Sequence, residues 1–306
     1  MKQDPCRYTY NDPESVTCKI HKEVILLLSG SCALLMQLAH PLIAAAIYEH
    51  SLVMSHPFHR AVDTIRLTQR KALGSDVVAR HAARTINRFH AQVHGTLAAD
   101  AGAYRKGTPY RAQDPQLLLW VHATLVVTAL CTYELFIGPL SEREKEQYYQ
   151  ETKARACLLG LPLHVMPRTL VDLEQYLDEM LHSNRLAVTP QARQLVQKIL
   201  FPSSSFLFQP LARFNLFVTC ALLPQSVREM FGLQWNEHQQ RDFDRLARSL
   251  RAVLPSLPEC MRELPSTRRM IRQLRGAQQR GAALQIGAND GPQRNDCGRS
   301  GVMHAL

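Results

Sequence analysis

The stretch Val77 to Gly95, VVARHAARTINRFHAQVHG, sets two histidines one helical turn apart beside an apolar stripe. At about 100° per residue, Ala82, Ile86, Phe89, Val93 and Leu97 share one face, and Arg80, Arg84, Arg88 and Gln92 lie away from it. His90 falls inside the edge of the stripe. His94 lies about 40° further round, at the boundary with the polar face. A neutral imidazole in an apolar setting can present nitrogen to a metal or haem iron, or hold a proton donor at neutral pH. The plainer alternative is a core histidine bonded to a carbonyl next to a surface one, and on these residues alone it stands ahead.

Working outward, the 3.6-residue period recurs along nearly the whole chain, and neither an alternating strand pattern nor a Gly-rich phosphate loop appears. The expected fold class is all-α, a single-domain multi-helix bundle. With 306 residues, 46% hydrophobic and 20% charged, the chain can bury one large core. Residues 1–22 are expected as an N-terminal surface segment, 23–260 as the all-α domain, and 270–306, rich in Gly, Gln, Arg and Asn, as a disordered tail.

The run EVILLLSGSCALLMQLAHPLIAAAIYEHSLV from Glu23 is long enough to cross a bilayer. Gly30, the Gln37 and His40 pair and Pro41 argue instead for two buried helices meeting at His40-Pro41. The next helix, about His59 to Leu73, stacks Arg60 above Thr64 and ends at Gly74. Asp114-Pro115 is an N-cap followed by a first-turn proline. It opens LLLWVHATLVVTALCTYELFI, apolar on every face, with His122 among its few polar residues, and this reads as the centre of the bundle. Ser141 to Leu159, with alternating charges, reads as a solvated amphipathic helix.

The net charge of +10 invites an anionic partner, yet the arginines are spread along helices with no interleaved aromatics and no zinc-finger spacing. Nucleic acid is therefore not an expected partner. Eight scattered cysteines fit neither a disulfide framework nor a cysteine zinc site. The N-terminus lacks the apolar segment of a signal peptide, and a reducing cytoplasm is the expected location.

Five segments in order, GSCALLMQLAHPLIAAAIYEHS, HPFHRAVDTIRLTQRKALG, INRFHAQVHGT, YRAQDPQLLLWVHATLV and LLGLPLHVMPRTL, make the chain similar to the MpaB-type oxygenase family, whose catalytic domain is shared with the rubber oxygenases. The resemblance implies an all-α protein carrying haem b, whose iron acts with dioxygen on a small apolar, isoprenoid-like substrate by cleavage of a C=C bond. Carried onto this sequence, the axial metal ligand is His90, with His94 as its competitor. Arg60 and Thr64 fall on the oxygen-binding side. His40 and His122 line the cofactor pocket, and Arg60, Arg84 and Arg88 are candidates for the haem propionates. Where the rubber oxygenases have a lysine in Arg-x-x-Lys-Thr, this chain has Asp63, so a distal role for that lysine does not transfer. The alternative is a non-catalytic helical protein that binds haem or lipid, with peripheral membrane contact through its apolar helices and basic charge. The oligomeric state is left open.

Overall fold

The computed structural model describes residues 12–51, 57–200 and 209–289, with the side chains of 57–61 and 280–289 outside that description. Its helices are α1 (Val16–His21), α2 (Leu27–Leu38), α3 (Pro41–His50), α4 (Pro57–Leu73), α5 (Asp76–Ala91), α6 (Pro115–Phe136), α7 (Glu142–Cys157), α8 (Leu170–His182), α9 (Pro190–Leu200), α10 (Gln209–Leu222), α11 (Gln225–Phe231), α12 (Glu237–Val253), α13 (Glu259–Arg262) and α14 (Pro265–Asn289). The all-α, single-domain architecture expected from the sequence is what the chain adopts.

The central element is α6. Asp114 caps it by accepting from the Gln116 amide at 2.7 Å, and Pro115 occupies the first turn. Apolar side chains leave α6 in every direction, and α1, α2, α7, α8, α10 and α12 pack around it. It is long and apolar enough to cross a membrane, and most of its apolar window is buried inside the protein. Where α10 and α12 close over its end, Phe136, Phe217, Phe243 and Trp235 stack in tilted and edge-on pairs.

The α2 to α3 junction bends by 109° at His40-Pro41. Pro41 forces His40 into extended backbone, and the His40 amide then bonds to the Gln37 carbonyl at 3.1 Å instead of continuing the α-helical ladder. The Met36 carbonyl thereby loses its ladder donor. Trp120 of α6, fully buried, supplies one through Nε1 at 3.2 Å. Beside it Gln37 Nε2 donates to Thr124 Oγ1 at 3.1 Å, and the Ala187 amide donates to the Ala39 carbonyl at 2.8 Å. The broken helix end is thus tied to α6 and to the segment before α9.

Four sequence expectations need correction. First, the helix carrying His90 does not run to Gly95; α5 ends at Ala91, and His94–Thr96 forms a strand paired antiparallel with Pro109–Arg111, Gly95 opposite Tyr110. The cause is close packing at Gly95, where any Cβ would collide with the Tyr110 ring, whose hydroxyl donates to Glu49. Phe89, placed on the apolar stripe, is 43% exposed, and the buried face of α5 is Ala79, Ala82 and Ala83. Second, α7 is solvated only in its first half; Tyr148, Tyr149, Thr152, Lys153, Ala154, Arg155 and Ala156 are buried. Third, the chain is helical through Asn289, because Thr267, Ile271 and Leu274 keep a helical stripe that packs on α4. Fourth, the segment before residue 22 contributes to the core through Val16, Cys18 and Ile20.

The segment after α1 meets the segment after α13 at a bridge between Glu23 and Glu263, both buried. Arg262 reaches Glu23 at 3.3 Å, and Lys22 reaches Glu263 at 3.6 Å. Burial pushes the Glu23 carboxyl up, against the pull of Arg262 and Lys22. Removing one partner of a buried pair strands the other, so Arg262→Ala is expected to destabilise the protein by about 3 kcal/mol in urea unfolding. Trp120→Phe should cost about 2–4 kcal/mol, from the orphaned Met36 carbonyl and the volume lost, with no change in the slope of the denaturation curve.

Candidate active site

Ser75 starts α5 by accepting from the Val78 amide, and the small residues on its buried face let it pack closely against α4. On its last turn His90 is half-buried, with the Phe89 ring 6.5 Å away. Asn87, three residues before His90 and so on nearly the same face, donates through Nδ2 to the Leu158 carbonyl at 2.9 Å. That bond directs the last turn of α5 to the end of α7. His94, in contrast, is exposed on its strand, and its carbonyl accepts from His50 Nε2 at 3.1 Å. The two histidines lie on different elements.

The end of α7 meets α1, α4 and α6 in a buried basic cluster. His21 Nε2 and the Tyr148 hydroxyl are 3.0 Å apart. His122 stacks on Tyr149, with ring centroids 6.2 Å apart. Lys153 lies over the Tyr149 ring and donates to the carbonyls of Pro167 at 2.9 Å and Arg168 at 3.0 Å. Arg155 is 8% exposed. Burial, reinforced by Arg155 and Lys71, pushes the His21 imidazole down to about 3. Burial, reinforced by Lys71 and Lys153, does the same to His122, also to about 3. The Lys71 ammonium is pushed down to about 8 by burial and by Arg155. The histidines are therefore neutral, and the positive charge sits on Lys71, Lys153 and Arg155. His122 Nε2 is buried without a hydrogen-bond partner among the described residues.

The sequence-expected residues divide among three places. Arg60 lies in α4, but its side chain is outside the described residues. Thr64 is exposed, and Asp63, also exposed, pairs with Arg66 at 3.9 Å. His122 belongs to the basic cluster. His40 belongs to another one: buried, it faces the Tyr104 hydroxyl at 3.1 Å, near Arg185, and burial and Arg185 push it down to about 4. Arg84 and Arg88 lie on the exposed face of α5.

Lys71, Arg155, His21 and Tyr148 were not singled out in the sequence. For Lys71 a signal existed: it stands seven residues after Thr64, two helical turns along, on the face that carries Arg60 and Thr64. For Arg155 the signal was the shift from EREKEQ to the smaller, less charged residues of ARACLL.

This helical frame belongs to a known class. The chain is a member of the family described as ER-bound oxygenase mpaB/B'/rubber oxygenase, catalytic domain, matched over residues 18–252. It is thus of the oxygenase type. Its relatives include uncharacterised proteins of Mycobacterium tuberculosis and Mycobacterium bovis, each 28% identical over 232 residues that span 73% of this chain and 87% of the relative. No solved structure matches the chain.

Three neutral histidines give the fold a defined acid response. His21, His40 and His122 protonate near 6.5 when unfolded and at about 3, 4 and 3 when folded, so the unfolded state takes up protons first. Their contribution is complete above pH about 6.5 and is lost as pH falls toward the folded values, at up to about 1.4 kcal/mol per pH unit for each histidine. Urea midpoints should be flat from pH 7 to 8 and fall steeply from pH 6.5 to 4.5. His122→Asn should make that fall shallower.

Proposed function

We propose that the chain is a haem b-dependent oxygenase that acts with dioxygen on a small apolar, isoprenoid-like substrate, His90 being the iron's axial ligand. The observation that supports this reading is the bond from Asn87 to Leu158, which ties the turn bearing His90 to the end of α7. A porphyrin provides four of the iron's ligands, so the protein has to add one imidazole, an apolar slot and positive charge for the two propionates. On this reading His90 supplies the imidazole and the apolar helices α2, α3 and α6 the walls, and His122 offers a buried Nε2 that has no partner among the described residues.

When bound, the haem supplies ferrous iron for oxygen activation, with oxidative C=C cleavage as the chemistry the family resemblance implies. The chain's own work is binding, orientation and exclusion of water. His21 and His122 stay neutral throughout the physiological range and so add no positive charge near the reacting centre. Arg60 and Thr64, one turn apart on α4, are assigned to the oxygen side. Asp63 is directed to solvent, where it pairs with Arg66, so it does not replace the missing lysine as a base. A cytoplasmic setting belongs to the same proposal.

Purified after expression with ample haem precursor, the protein should show a Soret band that shifts when the ferrous form meets oxygen. His90→Ala should lower haem content at least tenfold while His94→Ala keeps it. A wild-type protein without a Soret band would sink the reading in favour of a haem-free helical binding protein; loss on His94→Ala alone would move the ligand to the strand.

A further inference from the structure

The outward face of α5 carries cations that no carboxylate of its own helix answers. Arg80, Arg84 and Arg88 recur at every fourth residue, all three are exposed, and none makes an ion pair among the described residues. The helix has one carboxylate, Asp76, half-buried in its first turn. Exposed arginines on two other helices do the opposite. Arg66 on α4 pairs with Asp63, and Arg241 and Arg245 on α12 pair with Glu237 and Asp242, each partner lying about one turn away on the same helix. By helical phase the three α5 arginines and Val77 fall within about 80° of arc. Val77 is 74% exposed, the highest value for a large hydrophobic side chain among the described residues, and Val78 beside it is 38% exposed. The opposite face, Ala79, Ala82 and Ala83, is buried, and α5 packs mainly on α4.

We propose that this face of α5 docks the protein on an anionic lipid surface. The guanidinium groups meet lipid phosphates and carboxylates, while the arginine stems and the two valines enter the headgroup layer. The valines decide between anionic partners: a nucleic acid would engage the arginines and leave Val77 and Val78 in water, whereas a bilayer takes both. The net charge of +10 draws the chain toward such a surface from a distance. Basic character continues next to α5, because α14, which also packs on α4, exposes Arg269 and Arg272. His90 stands about 120° around the helix from Arg84, so docking through the arginine row leaves its side of α5 clear. The proposal goes beyond the haem reading and does not depend on it.

The test sediments the full chain with vesicles of phosphatidylcholine, alone or with about one third phosphatidylserine. Wild type should bind the anionic vesicles about tenfold or more tightly than the neutral ones, and added salt should weaken that binding. Arg80→Gln, Arg84→Gln and Arg88→Gln combined should weaken it by about a hundredfold, at roughly fivefold per arginine. The same three positions changed to Lys should keep most of it, and Val77→Ser with Val78→Ser should cost severalfold. Arg241→Gln, Arg245→Gln and Arg248→Gln combined remove the same charge from α12 and should have little effect; circular dichroism checks that the helices persist in each variant. Equal binding of wild type to neutral and anionic vesicles would overturn the proposal without any variant having to fold. Equal losses in the α5 and α12 variants would also overturn it, since net charge and not this face would then be responsible. Duplex DNA bound more tightly than anionic vesicles, with no effect of the valine changes, would transfer the face to a nucleic acid.

Discussion

The hydrogen bond from Trp120 to the Met36 carbonyl is the constraint on which the bundle turns. Pro41 ends α2 and leaves carbonyls that the helix cannot satisfy itself, and a buried orphan carbonyl would cost about 1–3 kcal/mol. The remedy comes from α6 and from the Ala187 amide, so the break is tolerated only when α2, α6 and the segment before α9 are assembled. A local defect has become a long-range register pin. Gln37 on Thr124 adds a second pin beside the first, fixing the rotation of α6 about its own axis.

That rotation decides where the histidines go. With Trp120 and Thr124 committed to α2, His122, about 200° around the helix from either, must face the opposite side, where Tyr149 of α7 receives it. His40 stays at the bend and meets Tyr104. Two histidines with the same sequence-level assignment, the pocket wall, therefore occupy separate polar clusters. Their likeness in the sequence was one of residue type and apolar neighbours, which carries no information about which side of a central helix each will serve.

What could be read along the chain was what local physics controls. The cap at Asp114, the bend at His40-Pro41 and the all-round apolar character of α6 follow from residues within a turn of each feature. What could not be read depends on partners distant in sequence. Val93 and Leu97 keep the helical phase of α5 and are buried, but they are buried from a hairpin, because Gly95 accepts the Tyr110 ring from fifteen residues away. The ranking of His90 over His94 drew on a helix assumed to include both. The structure separates them for another reason, the end of α5 at Ala91, and leaves His90 on the turn that Asn87 aims inward. The C-terminal helix was missed because its composition is polar, and the buried Ile271 gains its meaning only against Cys18 of α1 and Ala72 and Leu73 of α4.

Charge was the least legible property of all. A net +10 with arginines strewn over helices suggests solvated faces, and for Arg80, Arg84 and Arg88 that is where they lie. Arg155 looks no different in the sequence, yet it is buried, where the same charge has a different consequence, and Lys71 lies near enough to feel it. A surface cation is neutralised by water and salt at little cost, whereas a buried one alters the protonation of every neighbour and demands a partner. His21 and His122 register that demand by remaining neutral far below their ordinary range. The imidazoles of His21 and His122 are thus held uncharged by burial and by the positive charge of their neighbours, an arrangement that depends on which helices meet and that no single segment of sequence displays.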